Sequence, residues 1–368
     1  MRLKVCTNCV LDSSEPNISF DDNGVCIYCN EYFELKKNKK NQLSDSEKLL
    51  KLQNDIIQIK KDGVGKEYDC IIGLSGGVDS SYVAYLVKKY GLRPLAIHLD
   101  NGWDAELAVK NIENLCNKLD IDLYTHVINW EEFRDLQLSF LKASVRNAEA
   151  PTDHAIFAVL YNLAFKYKIK WIIDGVNQAT EYTRDGTAAG GYAYSDLKQI
   201  LGIHKIFGNM RLHTYPKLSY YKKYFYKYFY KIRQYSILNY TEYNKNKALE
   251  LLADELDWKS YGSKHHESIF TKWHQVVYLP TKFGFDKRKI HLSDLILSGQ
   301  ISRENALDEL SRPPISNNDL LDLENYVSKK LGLDKNQYTS ILNSQPKSHK
   351  DYPNDEWISI LYKKYFKK

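Results

Sequence analysis

The 368-residue sequence predicts an α/β fold, a parallel sheet covered by helices, with a small cysteine module before it and a mainly helical region after it. Three observations carry this. Strand-like apolar runs alternate with helix-length segments from residue 65 onward, two Cys-x-x-Cys pairs stand near the amino terminus, and beyond residue 215 the apolar positions recur at helical spacing.

The module spans residues 1–33. Cys6-Thr7-Asn8-Cys9 and Cys26-Ile27-Tyr28-Cys29 flank a polar turn at Asp21-Asp22-Asn23-Gly24, the spacing of a four-cysteine ribbon holding Zn²⁺. Four thiolates close the shell and leave no position for a water, so the expected zinc is structural. Residues 34–64 follow as a Lys/Asn-rich linker and a helix, started by Ser44 and Glu47 as a capping box and ended by Gly63 and Gly65.

Residues 65–214 form the predicted sheet domain. Tyr68–Leu74, Pro94–Leu99, Leu123–Ile128 and Trp171–Asp174 read as strands, and the segments to Tyr90, from Asp104 to Leu119, and around 131–145 and 153–167 as helices. Ligands of such sheets bind outside the carboxyl ends of the strands, so the loops opened by Ser75, Asp100 and Asp174 are expected to share one crevice. Residues 215–368 read as a mainly helical substrate or partner region. Within it Tyr220, Tyr221, Tyr224, Phe225, Tyr228, Phe229 and Ile232 fall on one half of a helical wheel, with Lys222, Lys223, Lys227 and Arg233 largely on the other. A helix reaching toward Tyr235, its aromatic face packed on the domain and its lysines solvated, is the plain expectation; an anionic lipid surface, nucleic acid and a phosphorylated sugar carrier are the alternatives.

Composition excludes several classes. Hydrophobic residues make up 43%, which is not the composition of a disordered chain, no stretch approaches 18 consecutive apolar residues, and the first residues lack a signal-peptide apolar core. A cytoplasmic protein is expected. The net charge of +6 is local, since residues 217–247 hold eight Lys/Arg and one Glu.

Ser75-Gly76-Gly77-Val78-Asp79-Ser80-Ser81 sits where the first strand passes into a helix. Paired glycines let the backbone approach an anion, the helix start points N–H groups and dipole at the same spot, and the serine hydroxyls add donors. The lysine of a Walker loop is missing, which favours pyrophosphate over a transferable γ-phosphate. The run resembles the PP-loop of ATP pyrophosphatases, enzymes with a HUP-like parallel sheet that split ATP into AMP and pyrophosphate. The resemblance implies ATP and Mg²⁺, with Leu99 and Asp100 beside the adenosine and Gly175 in the opposing loop. Asp79 or Asp174 is the expected oxygen ligand for Mg²⁺.

Further segments carry a narrower resemblance: Ala150–Phe157, the Gly175–Glu181 loop, Lys264–Thr271, and Leu279–Arg288 through Gln300. Together with the cysteine pairs they resemble the N-acetyl sugar amidotransferase family, which converts an acetamido group of a bacterial surface sugar into an acetamidino group. The resemblance implies Asp79, Lys282, Lys287, Arg288 and His154 as catalytic residues, and Asp153, Asn177, Glu181, Lys264, His265, His266 and Glu267 as substrate-binding residues. The acceptor would be a nucleotide- or lipid-linked acetamido sugar. Outside the ribbon the only cysteines are Cys70, at a strand start, and Cys116, on an apolar helical pattern, and Met1 is followed by Arg2, so a glutaminase nucleophile is not expected in this chain. Ammonia would come from a separate glutaminase subunit related to that of histidine biosynthesis, with a cyclase-like companion as conduit. A PP-loop tRNA thiolase and a non-catalytic nucleotide-binding scaffold of polysaccharide assembly are the alternatives. Nucleic acid is not the expected partner.

Overall fold

The computed structural model describes residues 3–15, 18–37, 43–184, 195–261, 266–358 and 360–361. Five strands, β1 (Cys70–Gly73), β2 (Pro94–Asp100), β3 (Asp122–Val127), β4 (Trp171–Asp174) and β5 (Arg233–Ser236), pair in parallel in the order β3-β2-β1-β4-β5. Consecutive residues of the central strands face opposite sides. Ile71 and Ile172 are buried in one core, and Ile72 and Ile173 in the other, so these strands are continuously apolar rather than alternating. Helices Asp45–Asp62, Val78–Lys89 and Glu106–Leu119 cover one face; Trp130–Lys142 and Ala150–Lys166 cover the other. Chain order runs one way from β1 through β2 to β3 and the other way to β4 and β5. The reversal lies between β1 and β4, where such sheets open a crevice.

The first four strands and their helices stand where the apolar pattern puts them, and Ser44 with Glu47 makes both halves of the capping box ahead of Asp45. The region after residue 214 differs. The helix there runs only Tyr220–Tyr228, Lys231 turns the chain with φ 55°, and Arg233–Ser236 joins the sheet beside β4. The sheet therefore crosses the expected 214/215 division. A four-residue edge strand with only Tyr235 buried has too short an alternation to stand out from a helical wheel.

The cysteine module is fixed to the carboxyl-terminal helices. Arg303, in helix Arg303–Ser311, donates to the Cys6 and Cys9 carbonyls at 3.0 Å each, Val10 packs on Leu292 and Ala306, and Lys289 pairs with Asp12. Glu15 meets Arg146 at 2.9 Å in a fully buried pair. Burial raises the Glu15 carboxyl to about 7 against the pull of Arg146. The helix Ile27–Lys37 starts between Cys26 and Cys29 and runs through the expected 33/34 boundary.

Candidate active site

The loop from Ser75 to Gly77 leaves β1 and enters helix Val78–Lys89 with Gly77 as its N-cap. Gly77 has no side chain to cap the helix, and an uncapped helix start suits an anion. Local hydroxyls hold the loop in shape: Ser75 and Ser80 are 3.2 Å apart, Gly77 N–H donates to Ser75 Oγ at 3.3 Å, and Ser80 Oγ donates to the Gly77 carbonyl at 3.1 Å. Ser81, by contrast, is buried, which removes its hydroxyl from the expected donors.

The two glycines serve different ends. Gly76 has φ +83°, and a Cβ there would lie 2.9 Å from the Ala108 carbonyl oxygen, so both conformation and space require glycine. A Cβ on Gly77 would meet the Glu267 carboxylate at 2.8 Å. Gly175 makes a third close approach: its Cβ would stand 3.1 Å from Asp79, which packs the β4 loop against the helix start.

Residues far away in sequence grip this loop. Trp258 Nε1 and Tyr261 Oη both donate to the Gly76 carbonyl at 2.9 Å, and Asn111 anchors Tyr261 Oη and the Lys259 carbonyl at 2.8 Å each. Tyr243 donates its hydroxyl to Asp79 Oδ1, and burial followed by the Asp79 charge raises the phenol well above its ordinary value. Ala105 N–H donates to the Glu267 carbonyl at 2.9 Å and Ile269 N–H to the Trp103 carbonyl at 2.8 Å, a short antiparallel clasp that holds Glu267 over the loop.

At the root of the loop His98 Nδ1 lies 3.0 Å from the Leu74 carbonyl and Nε2 3.1 Å from Asp104 Oδ2. Both partners are acceptors, so the protonated ring satisfies both. Burial opposes that charge, but Asp104 and the carbonyl outweigh it and the pKa is raised. His98, Asp100, Asp104, Leu123 and Thr125 line a cleft of about 190 Å³, on the side where adenosine is expected. Asp100 lines it while tying Gly102 N–H at 2.8 Å; Leu99 is buried in the sheet. Across the crevice Asp174 accepts from Gln234 at 2.6 Å and Ser236 at 2.7 Å, and burial raises its carboxyl. Glu181 is close enough to reinforce that shift and to act on Tyr243. Asn177 caps the short helix Gln178–Glu181 and donates to the Gly175 carbonyl, a local structural task. Among the described residues no group of three carboxylates placed to hold a metal ion stands near the loop.

Four of the five expected catalytic side chains are engaged elsewhere. The buried Lys282 ammonium donates to the Ile341 carbonyl at 2.7 Å and to the Ser344 carbonyl and hydroxyl at 2.6 and 2.7 Å, closing the end of helix Lys335–Asn343. Arg288 forks onto Asp286 and donates to the Glu309 and Arg312 carbonyls, doing the same for helix Arg303–Ser311. His154 Nε2 accepts from Leu218 N–H at 3.1 Å while its ring stacks on Tyr215, which fixes it in the core. Lys287 acts electrostatically on Glu15 and His274 at the module junction. Asp153 stands in the first turn of helix Ala150–Lys166, near Tyr215, and His266 is half-buried beside Glu267. Lys264 and His265 lie outside the described residues. Glu149, not singled out by the sequence, accepts from Thr271 and lies 3.5 Å from His274, tying the start of helix Ala150–Lys166 to the end of the Lys264–Thr271 segment.

Cys6, Cys9, Cys26 and Cys29 are fully buried, with their sulfurs within 4.8 Å of one another. The N–H groups of Asn8, Cys9 and Cys26 point at Cys6 Sγ at 3.2–3.4 Å, and Leu11 N–H points at Cys9 Sγ at 3.5 Å. Such donors favour thiolates, and the set fits a metal ion.

Comparison with known proteins agrees with this geometry. Residues 68–151 match the family described as tRNA methyl transferase HUP domain, and residues 267–365 match LPS biosynthesis protein WbpG-like, C-terminal domain. A tRNA-specific 2-thiouridylase of Fusobacterium nucleatum is 27% identical over 120 residues, 31% of this chain and 35% of the relative. An uncharacterized protein of Methanocaldococcus jannaschii is 27% identical over 175 residues, 46% of this chain and 58% of the relative. A tRNA(Ile)-lysidine synthase of Chlamydia pneumoniae is 33% identical over 98 residues, 24% and 30%. The chain thus spans between about a third and somewhat over half the length of these relatives. Among solved structures, the NH3-dependent NAD synthetase of Campylobacter jejuni aligns with a TM-score of 0.33 at 16% identity, covering 75% of this chain and 100% of that one. The parallel sheet, the loop and the two matched segments support a member of the PP-loop ATP pyrophosphatase superfamily, whose members use ATP. Its carboxyl-terminal part is similar to a domain of lipopolysaccharide biosynthesis.

Proposed function

We propose that the protein is an ATP-dependent, AMP-forming amidotransferase that converts an acetamido group of a bacterial surface sugar into an acetamidino group. One observation carries the reading: the segment similar to a lipopolysaccharide-biosynthesis domain begins at Glu267, the residue whose carboxylate abuts Gly77 of the phosphate loop. On this reading the part of the chain that would choose the acceptor begins beside the phosphate loop.

An acetamide carbonyl is a poor electrophile, and ammonia does not displace its oxygen unaided. In the proposed reaction that oxygen attacks the α-phosphorus, pyrophosphate leaves, and the amide N–H proton is lost, giving an O-adenylyl imidate. Ammonia bonds to the imidate carbon, the C–O bond breaks to release AMP, and the product keeps a proton as amidinium. The helix-start amide of Val78 and the Ser75 hydroxyl would stabilise charge developing on pyrophosphate, with Gly77 N–H and the Ser80 hydroxyl holding the loop in shape. Mg²⁺, held in part by Asp79, would neutralise phosphate charge. Asp174, Glu181 and Glu267 ring the crevice as ligands for sugar hydroxyls and as acceptors for the protons released. The metal of the cysteine module is read as structural Zn²⁺.

Cys70 is completely buried and its thiol pKa strongly raised; burial likewise pushes Cys116 up to about 11. Neither suits a glutaminase nucleophile, nor the sulfur carrier a thiolase requires. Ammonia is therefore assigned to a separate glutaminase subunit. The test is incubation with ATP, Mg²⁺, ammonium and diacetamido sugars, free and nucleotide-linked. Formation of AMP, pyrophosphate and a sugar with O replaced by NH is expected with ammonium and not with glutamine alone; turnover on glutamine in isolation contradicts the reading.

A further inference from the structure

The helix Tyr220–Tyr228 and the turn after it pack only part of their aromatic face on the domain. Tyr220 and Tyr226 are buried, but Tyr221 is 69% exposed, Phe225 44%, Tyr228 51%, Phe229 76% and Tyr230 46%. Lys222, Lys227, Lys231 and Arg233 surround these rings and are exposed. From residue 197 to 241 the sequence holds nine Lys/Arg and no Asp or Glu. The pentapeptide starting at Tyr221 recurs letter for letter starting at Tyr362.

We infer that this ridge docks on an anionic lipid bilayer and holds the nucleotide crevice facing away from it. Charge selects an anionic partner, and a second copy of the same surface would repel the first. Ring arrangement selects lipid over RNA. Phe225 lies 5.1 Å from Phe229 and 5.3 Å from Tyr230, and Phe165 lies 4.6 Å from Tyr230 and 4.9 Å from Tyr226. The rings cover one another's faces in a contiguous wedge instead of standing apart as base platforms, and the most protruding position of the wedge, Phe229, has no hydrogen-bonding group. A basic, aromatic amphipathic helix of this kind lies in the headgroup region with its rings at the acyl boundary.

Topology sets the orientation. The helix feeds the amino end of β5, where Arg233 N–H donates to the Lys170 carbonyl at 2.7 Å and Arg233 stands in register with Trp171, the first residue of β4. The phosphate loop lies at the carboxyl end of β1 in the same parallel sheet. Ridge and crevice occupy opposite ends, so a docked molecule keeps its crevice open to the aqueous side. This inference stands independently of the proposed reaction.

Co-sedimentation with phosphatidylglycerol–phosphatidylcholine vesicles tests it, alongside pure phosphatidylcholine vesicles and unfractionated tRNA. Binding to the anionic vesicles alone, lost at high salt, is expected. Replacing Lys222, Lys227, Lys231 and Arg233 by Gln should weaken partitioning by a factor of about 10²–10³. F225S/F229S should also lose binding with ATP binding unchanged, and Trp fluorescence of F229W should shift to the blue on anionic vesicles. No sedimentation at low salt overturns the inference, as does F229W emission that stays unmoved in the bound state, or tRNA binding in place of vesicle binding.

Discussion

Two regions of the molecule are rich in groups suited to anions, and they use them in opposite ways. After β1 the chain offers backbone N–H groups and hydroxyls from a loop whose shape is set before any ligand arrives, with Trp258, Tyr261 and Tyr243 bracing it from behind. After Tyr278 it offers full positive charges, yet Lys282 and Arg288 are engaged with carbonyls at the ends of helices. Cations near a helix carboxyl terminus answer its dipole and its unpaired carbonyls. Formal charge is thus a poorer guide to an anion site than backbone geometry, because a long side chain can turn to whichever acceptor the fold puts in reach.

The largest effects should break the first region. Gly77→Ala inserts a methyl group against Glu267, a flexible side chain, so the fold should survive while pyrophosphate release falls about 10²-fold. Gly76→Ala should do the same and also lower stability by about 1–2 kcal/mol, since it strains a φ of +83° and crowds the Ala108 carbonyl. Urea midpoints measured beside pyrophosphate release separate the two. Equal stability loss in both variants would mean that the glycines are not divided as described.

Lys282→Met sharpens the other side of the comparison. Removing a buried ammonium with three acceptors should cost about 1–3 kcal/mol of stability, with the pyrophosphate release rate of the folded fraction unchanged. A collapse of that rate with normal stability would return Lys282 to the catalytic set.

The smallest expected effect is at His98, between the two cores and under the loop. Its folded pKa is raised, so the stability it contributes is fully present below about 6.5 and is lost as pH rises through the raised value. His98→Asn should therefore lower the urea midpoint more at pH 6 than at pH 9. A pH-independent loss would contradict the protonated pairing with Leu74 and Asp104.

Much of this was readable from the sequence where the information is contiguous. The loop from Ser75 to Ser81, the first four strands and the cysteine pairs each announce themselves within a few residues. The braces could not be read that way, because Trp258, Tyr261 and Tyr243 reach the loop from well beyond the sheet's first strand, and their residue types are those of ordinary core positions. One signal was available: Trp258 and Tyr261 stand just before the resemblance segment that begins at Lys264. The strand β5 hid behind a basic aromatic pattern that suits a helix equally well, and the roles of Lys282, Arg288 and His154 depend on carbonyls and amides that only the tertiary fold brings near them.

The central claim is that the acceptor's own amide oxygen is adenylated in the crevice braced by Glu267. Incubating the protein with ATP, Mg²⁺, ammonium and a sugar carrying ¹⁸O in its acetamido carbonyl tests it most directly, because the proposed C–O cleavage leaves that oxygen on phosphorus. Mass spectrometry should find the label in the phosphate of AMP, with pyrophosphate unlabelled; label released into water or retained in the sugar product would contradict the account.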